Sequence, residues 1–254
     1  MDRKLLVERI VEVLSADDRV LAIWLAGSLG RGRGDEFSDI DLVVAADPSR
    51  RDALVDEWDE IADRIAPIVH RHKLSGRTMA VFAHVTDEWD RFDVTVVSPP
   101  MSHVAADLTP LHDPDGLHAS LPETAEAPPD RSGELAAEFL RVLGLLPVVV
   151  GRKEWVVGAS GAGLLRGMLI QLMLSTVPER GGALRMRGIL PDEQIDALAA
   201  LPPIEATEES VVAVHLACAR MFLPLARELA GEAYPVEMDR ALRTHLDRAL
   251  GLGI

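Results

Sequence analysis

The 254 residues carry 41 acidic against 26 basic side chains, a formal charge of −15, with 48% apolar and 4% aromatic residues. That much aliphatic surface is enough to core one large domain or two modest ones and excludes disorder over the full length, while the charge opposes a phosphate backbone, so duplex DNA or RNA is not expected as the main partner and cationic small molecules are favoured. The single cysteine, Cys218, excludes an intrachain disulfide, reads as a buried packing residue and suits a reducing, cytoplasmic setting.

Leu6, Ile10, Val13 and Leu14 at helical spacing predict an amphipathic helix over 3–15, and the N-terminus shows no signal-type apolar run. Val20–Ala26 reads as a buried strand ending abruptly at Gly27-Ser28. A glycine- and arginine-rich loop from Leu29 to Phe37 follows, then a second strand over Asp39–Ala45. Pro48–Ala66 is expected to be one helix, with Leu54, Val55, Trp58, Ile61 and Ile65 on one face. Thr78–Thr86 and Arg91–Ser98 are strands closed into a hairpin by residues 87–90. Asp113-Pro114-Asp115-Gly116 is a turn, and 118–132, rich in Pro, Glu, Ala and Asp, is the expected linker. Beyond it only helices are predicted: 133–146, 152–177, 191–200, 207–230 and 236–250. Pro191 followed by two acids, and Thr207 before Glu208 and Glu209, mark two of their starts. The expected fold is therefore α+β: a small mixed sheet with flanking helices over 1–120, then an all-helical domain over 131–254. The apolar runs 142–150 and 164–177 are interrupted short of the roughly 18 residues of a spanning helix, so no membrane anchor is expected.

The chemistry concentrates around Asp39 and Asp41. At positions i and i+2 of a strand, both carboxylates point to one face while Ile40 packs on the other. Two such groups side by side repel unless a cation lies between them, and hard oxygen ligands suit Mg2+. Upstream, Gly27 lets backbone approach a phosphate closely, Ser28 and adjacent N–H groups are suited to hold phosphate oxygens, and Arg31 or Arg33 adds charge-assisted contacts.

The stretch from Gly27-Ser28, through Arg31-Gly32, to Ser38-Asp39-Ile40-Asp41-Leu42-Val43-Val44 resembles the signature of the polymerase-beta-type nucleotidyltransferases. Its form is similar to that of the aminoglycoside- and lincosamide-modifying members. The resemblance implies an Mg2+-dependent, ATP-type nucleotide-binding enzyme. It would transfer a nucleoside monophosphate to a hydroxyl of a small-molecule acceptor, an antibiotic among the candidates, and release pyrophosphate. Asp39 and Asp41 would be metal ligands, and Gly27 and Ser28 would hold the β- or γ-phosphate. A third carboxylate on a neighbouring strand is implied as metal ligand or as base for the acceptor hydroxyl. Asp93, in the apolar strand Phe92–Val97, is the best match, with Asp87, Glu88 and Asp90 as competitors. Similar enzymes bring a basic residue of the helical domain to the triphosphate; Lys153, read as the start of the long helix, is the candidate, against a solvated helix start.

Two other classes are open to test. A non-catalytic nucleotide-binding or antitoxin-like module would share the fold. A serine hydrolase elbow at Ala26-Gly27-Ser28-Leu29-Gly30 requires a helix to follow, where a strand is expected. Gly158–Gly163 lacks a phosphate-loop ending and reads as close helix packing, and His70 and His72 lack a third ligand at zinc-type spacing.

Overall fold

The computed structural model describes residues 2–124, 130–177 and 183–254. It divides into two compact units, Met1–Ala127 and Pro128–Ile254. Residues 125–129 of the expected linker lie outside the described residues.

The first unit opens with α1 (Arg3–Ser15), capped by the Asp2 carboxylate, which accepts from the Lys4 backbone N–H at 2.8 Å. The strands are β1 (Val20–Leu25), β2 (Ile40–Ala46), β3 (Ile68–Ser75), β4 (Met79–Thr86), β5 (Arg91–Val97) and β6 (Thr109–His112). They form one sheet in the order β3-β4-β5-β2-β1-β6, in which β2 and β5 alone run parallel. A parallel pair needs a long crossover, and the chain between β2 and β5 supplies it. The helices Arg51–Asp56 and Trp58–Ile65 belong to it, and the β3–β4 hairpin extends the sheet beyond β5.

Where the sequence predicts one helix over 48–66, two occur: α3 (Arg51–Asp56) and α4 (Trp58–Ile65), meeting at Glu57. A further short helix, α2 (Gly27–Gly30), makes a single turn in what reads as loop. The strand β6 was not expected. It is four residues long and contains Pro110, both usual on a sheet edge and both erasing the alternation that marks a strand. The opposite edge, β3, exposes His70, Arg71, His72 and Lys73, charges and polar rings that discourage edge-to-edge pairing.

One face of the sheet is closed. Ile23, Ile40, Leu42, Val44, Phe92, Val94 and Val96 pack against Leu6, Ile10, Leu54, Trp58 and Ile61 of α1, α3 and α4. Within this core Trp58 stacks on Phe82 at 4.4 Å and donates its Nε1–H to His84 Nε2 at 3.1 Å. The His84 proton is therefore on Nδ1, which faces the Phe92 carbonyl at 3.4 Å. Burial holds this imidazole neutral, its pKa pushed down to about 4. The other face carries a smaller cluster, Ala22, Trp24, Val43, Ala45, Val97 and Leu108.

The second unit is helical: α5 (Ser132–Leu143), α6 (Leu146–Arg152), α7 (Trp155–Ser175), α8 (Asp192–Ala199), α9 (Glu208–Ala230) and α10 (Val236–Leu250). Thr207 caps α9, its side chain accepting from the Ser210 N–H. Phe139 of α5 stacks on Phe222 of α9 with centroids 3.8 Å apart. Gly158 is where α7 meets α6 and α9: a Cβ there would lie 2.8 Å from Cγ1 of both Val149 and Val211. Gly158 and the buried Ala162 thus serve close helix packing, whereas Ser160 and Gly163 are exposed. Cys218 is fully buried, its thiol pushed up to about 11 by burial. By length and composition the helices over Trp155–Ser175 and Glu208–Ala233 are apolar enough to cross a bilayer, which the count of uninterrupted apolar residues did not suggest. In this structure Leu165, Leu169 and Leu172 of α7 and Val214, Cys218 and Phe222 of α9 form the core of the helical unit.

Candidate active site

Asp41 is the second residue of β2, and Asp39 immediately precedes the strand. The parallel register sets Ile40 beside Phe92, Asp41 beside Asp93 and Leu42 beside Val94. Because Ile40, Leu42, Phe92 and Val94 lie in the helix-covered core, the two-residue period turns Asp41 and Asp93 to the opposite face, side by side. The third carboxylate of the sequence reading is thus adjacent to the second, 52 positions on in the chain.

The Gly27-Ser28 turn is delivered to the same place by backbone pairing. β1 runs antiparallel to β2, and just past its end the Ala26 N–H donates to the Asp41 carbonyl at 2.8 Å. The next residue therefore rests on the Asp41 side chain. Gly27 has φ +62°, and a Cβ on it would stand 1.9 Å from Asp41 Oδ2. Glycine is demanded twice over, by the left-handed backbone and by the close approach. α2 starts here and ends after one turn, with the Gly30 and Arg31 N–H groups donating to the Ala26 and Gly27 carbonyls at 2.7 and 3.3 Å. The opening N–H groups of such a turn have no earlier carbonyl of the same turn to bond. The helix of a nucleophile elbow is reduced here to the single turn of α2, after which the chain passes through residues 31–39 into β2.

The electrostatics are those of carboxylates short of positive charge. Burial raises the pKa of Asp41, the charges of Asp93 and Asp39 raise it further, and only Arg31 opposes them. Asp93 is also raised, by burial and then by Asp39, with Arg91 opposing. Asp39 is partly exposed and forms an ion pair with Arg91 Nη2. Arg91 is the neighbour of these carboxylates that the sequence reading missed. Its signal was present in the spacing: Arg91 and Asp93 are i and i+2 on β5, as Asp39 and Asp41 are around the start of β2, so the register that joins the two aspartates also brings Arg91 to Asp39. Arg31 stands 3.8 Å from Asp107 and acts on Asp41 through its charge.

The donor chemistry of Asp41 and Asp93 fits a hard divalent cation: two oxygen ligands on one face, both disfavoured as uncompensated anions. Asp39 is engaged with Arg91, and among the described residues no group of three or more His, Cys, Asp or Glu side chains is arranged to hold a metal. Lys153 belongs to the other unit and does not begin the long helix. It follows α6 with φ +58° as a left-handed C-cap, and α7 starts at Trp155. The sequence pattern runs through this break because apolar residues flank it on both sides.

Residues 8–78 match the family model described as Polymerase beta, Nucleotidyltransferase. Asp93 lies beyond the matched segment. Among solved structures, the chain is similar to an aminoglycoside 6-adenyltransferase from Bacillus subtilis at 14% identity, covering 96% of this chain and 98% of that one with a TM-score of 0.42. It is also similar to a nucleotidyltransferase-like protein from Exiguobacterium sibiricum 255-15 at 12% identity, covering 96% and 87% with a TM-score of 0.38. No curated protein matches the chain. The matched segment contains Gly27, Ser28, Asp39 and Asp41 of the candidate site, so this part of the chain is similar to a polymerase beta-type nucleotidyltransferase domain.

Proposed function

We propose that the chain is an Mg2+-dependent nucleotidyltransferase, with a catalytic domain over 1–120 and a substrate-binding helical domain over 131–254. It moves a nucleoside monophosphate from a nucleoside triphosphate to a hydroxyl of a small-molecule acceptor and releases pyrophosphate. The observation that carries this reading is the seating of Gly27 on Asp41, with Asp93 as the register neighbour of Asp41 on an adjacent strand. A phosphate-gripping turn and a carboxylate pair in contact is what such a reaction needs.

Asp41 and Asp93 would hold the ion, joined by Asp39 once it exchanges Arg91 for the cation. When bound, the ion supplies charge neutralisation and polarisation of the phosphoryl oxygens. The chain's own groups do the rest. Gly27 offers backbone N–H and Ser28 its N–H and hydroxyl to the β- or γ-phosphate, and Arg31 adds positive charge. The acceptor oxygen bonds to the α-phosphorus as the bond to the α–β bridging oxygen breaks. Asp93, beside Asp41 on the same face, orients the acceptor hydroxyl and takes its proton. Lys153 is the helical domain's candidate cation for the triphosphate, and Lys153→Ala is expected to raise the KM for nucleotide. The net charge of −15 favours a cationic acceptor, of which an aminoglycoside is one kind.

The test is incubation with labelled nucleoside triphosphates, Mg2+ and a panel of hydroxyl acceptors, scoring pyrophosphate. Release that Asp41→Asn abolishes supports the proposal; no release from any nucleotide and acceptor pair rejects it. The Asp39–Arg91 ion pair favours a second reading, a non-catalytic nucleotide-binding module that keeps Asp39 engaged. Nucleotide would then raise the melting temperature without Mg2+ and without pyrophosphate release.

A further inference from the structure

At the elbow between α9 and α10 lies a second site, to which the proposed reaction assigns no role. A cavity of about 440 Å3 opens there, lined by Arg227, Gly231, Tyr234, Asp239, Arg240 and Arg243 among others. Such a volume suits a small metabolite. Its wall is organised around Asp239, which is 2% exposed and accepts from Arg227, from the Tyr234 hydroxyl at 2.9 Å and from Arg243 Nε at 2.8 Å. Those bonds fix the guanidiniums without covering them: the Arg227 side chain is 52% exposed and that of Arg243 36%. Arg243 is further tied by a hydrogen bond from Nη1 to the Ile254 carbonyl. Arg227 also lies over the Tyr234 ring, 5.4 Å from its centroid. Arg240 completes the set, its Nη1 bonded to the Glu237 carboxylate while the side chain stays 68% exposed. At Gly231 a Cβ would meet nothing within 4 Å, so the elbow leaves this side open.

We propose that this cavity binds a small phosphoryl-bearing anion. Three guanidiniums face two carboxylates, buried Asp239 and exposed Glu237, an excess of one positive charge within a chain whose net charge is −15. A phosphate monoester brings negative charge and three terminal oxygens, and planar guanidiniums pair with such oxygens two at a time. The N-terminal end of α10 faces the same elbow and favours a negative group. A monocarboxylate has two acceptor oxygens, too few for three forks.

The experiment is calorimetric titration of the full chain with ribose 5-phosphate in the presence of EDTA, with acetate as the monocarboxylate control. Binding is expected for ribose 5-phosphate and not for acetate. Arg240→Ala, at an exposed side chain whose loss leaves the melting temperature unchanged, is expected to weaken it at least about fivefold. Arg227→Lys, which keeps a cation on Asp239 but loses the planar fork, is expected to weaken it as well. Ser28→Ala is expected to leave it unchanged. The proposal is overturned by absence of binding at millimolar ligand, by equal binding of acetate, or by a loss that follows Ser28→Ala instead of the arginine variants. None of these outcomes depends on whether pyrophosphate is released.

Discussion

Asp41 on the sheet and Asp239 at the α9–α10 elbow are the same chemical group solved in opposite ways. For Asp239, burial works against the ionised form, but hydrogen bonds from Arg227 and Tyr234 and the charges of Arg243 and Arg227 outweigh it and hold the carboxyl below its usual range. For Asp41, burial is reinforced by Asp93 and Asp39, and the pKa rises. The helical unit answers its buried charge with its own cations; the sheet places a half-buried charge beside two more of the same sign. An anion satisfied from within stabilises the fold, whereas an anion left short of positive charge marks where an external cation is useful.

The largest effect expected from that contrast is on catalysis. Asp41→Asn should lower pyrophosphate release by about 1,000-fold in a steady-state assay, because a ligand to the transition-state charge is lost, while Asp239→Asn should leave kcat within about threefold. If both variants lose activity equally, the two carboxylates are not doing different jobs. Gly27→Ala should cost about 1–3 kcal/mol in denaturant unfolding, since it forces a side chain into a left-handed backbone and onto Asp41 Oδ2. It should also lose activity that a second change, Asp41→Ala, does not restore.

Asp239→Ala should cost about 1–3 kcal/mol, because Arg227, Arg243 and Tyr234 lose a charged acceptor while the arginines remain able to rehydrate. The pH dependence sharpens the contrast further. With its pKa depressed in the folded chain, Asp239 contributes stability above its unfolded pKa that is lost as pH falls through the folded value. Asp41 and Asp93, raised in the folded chain, do the reverse: the folded state keeps protons the unfolded state has released, so stability falls as pH rises through that interval. The smallest effect follows. In EDTA at neutral pH, Asp41→Asn should raise the melting temperature, and the gain should shrink as the pH is lowered below the carboxylate range. Adding Mg2+ should raise the melting temperature of the unsubstituted chain and not that of Asp41→Asn.

Much of this was legible residue by residue. The helical period of Leu6, Ile10, Val13 and Leu14 gave α1 because one face of a helix must be buried, and the break at Gly27 and the alternation around Ile40 gave the ends of β1 and β2. Thr207 announced the start of α9 through a cap that needs only local geometry. Local patterns failed where tertiary packing overrode them. Glu57 divides an apolar helical stretch, Lys153 turns left-handed between two apolar helices, and Pro110 joins an edge strand too short to show a period.

Chemistry confined to neighbouring residues was therefore written in the sequence: an acid-x-acid pair after a Gly-Ser turn, with the side-chain period of a strand to align it. Only the tertiary structure decided which distant groups share the same space. Parallel pairing of β2 with β5 joins Asp93 to Asp41 and Arg91 to Asp39, and one backbone hydrogen bond from Ala26 seats Gly27 on a carboxylate. Register between strands is set by which faces must be buried across the whole sheet, a property of all its strands at once.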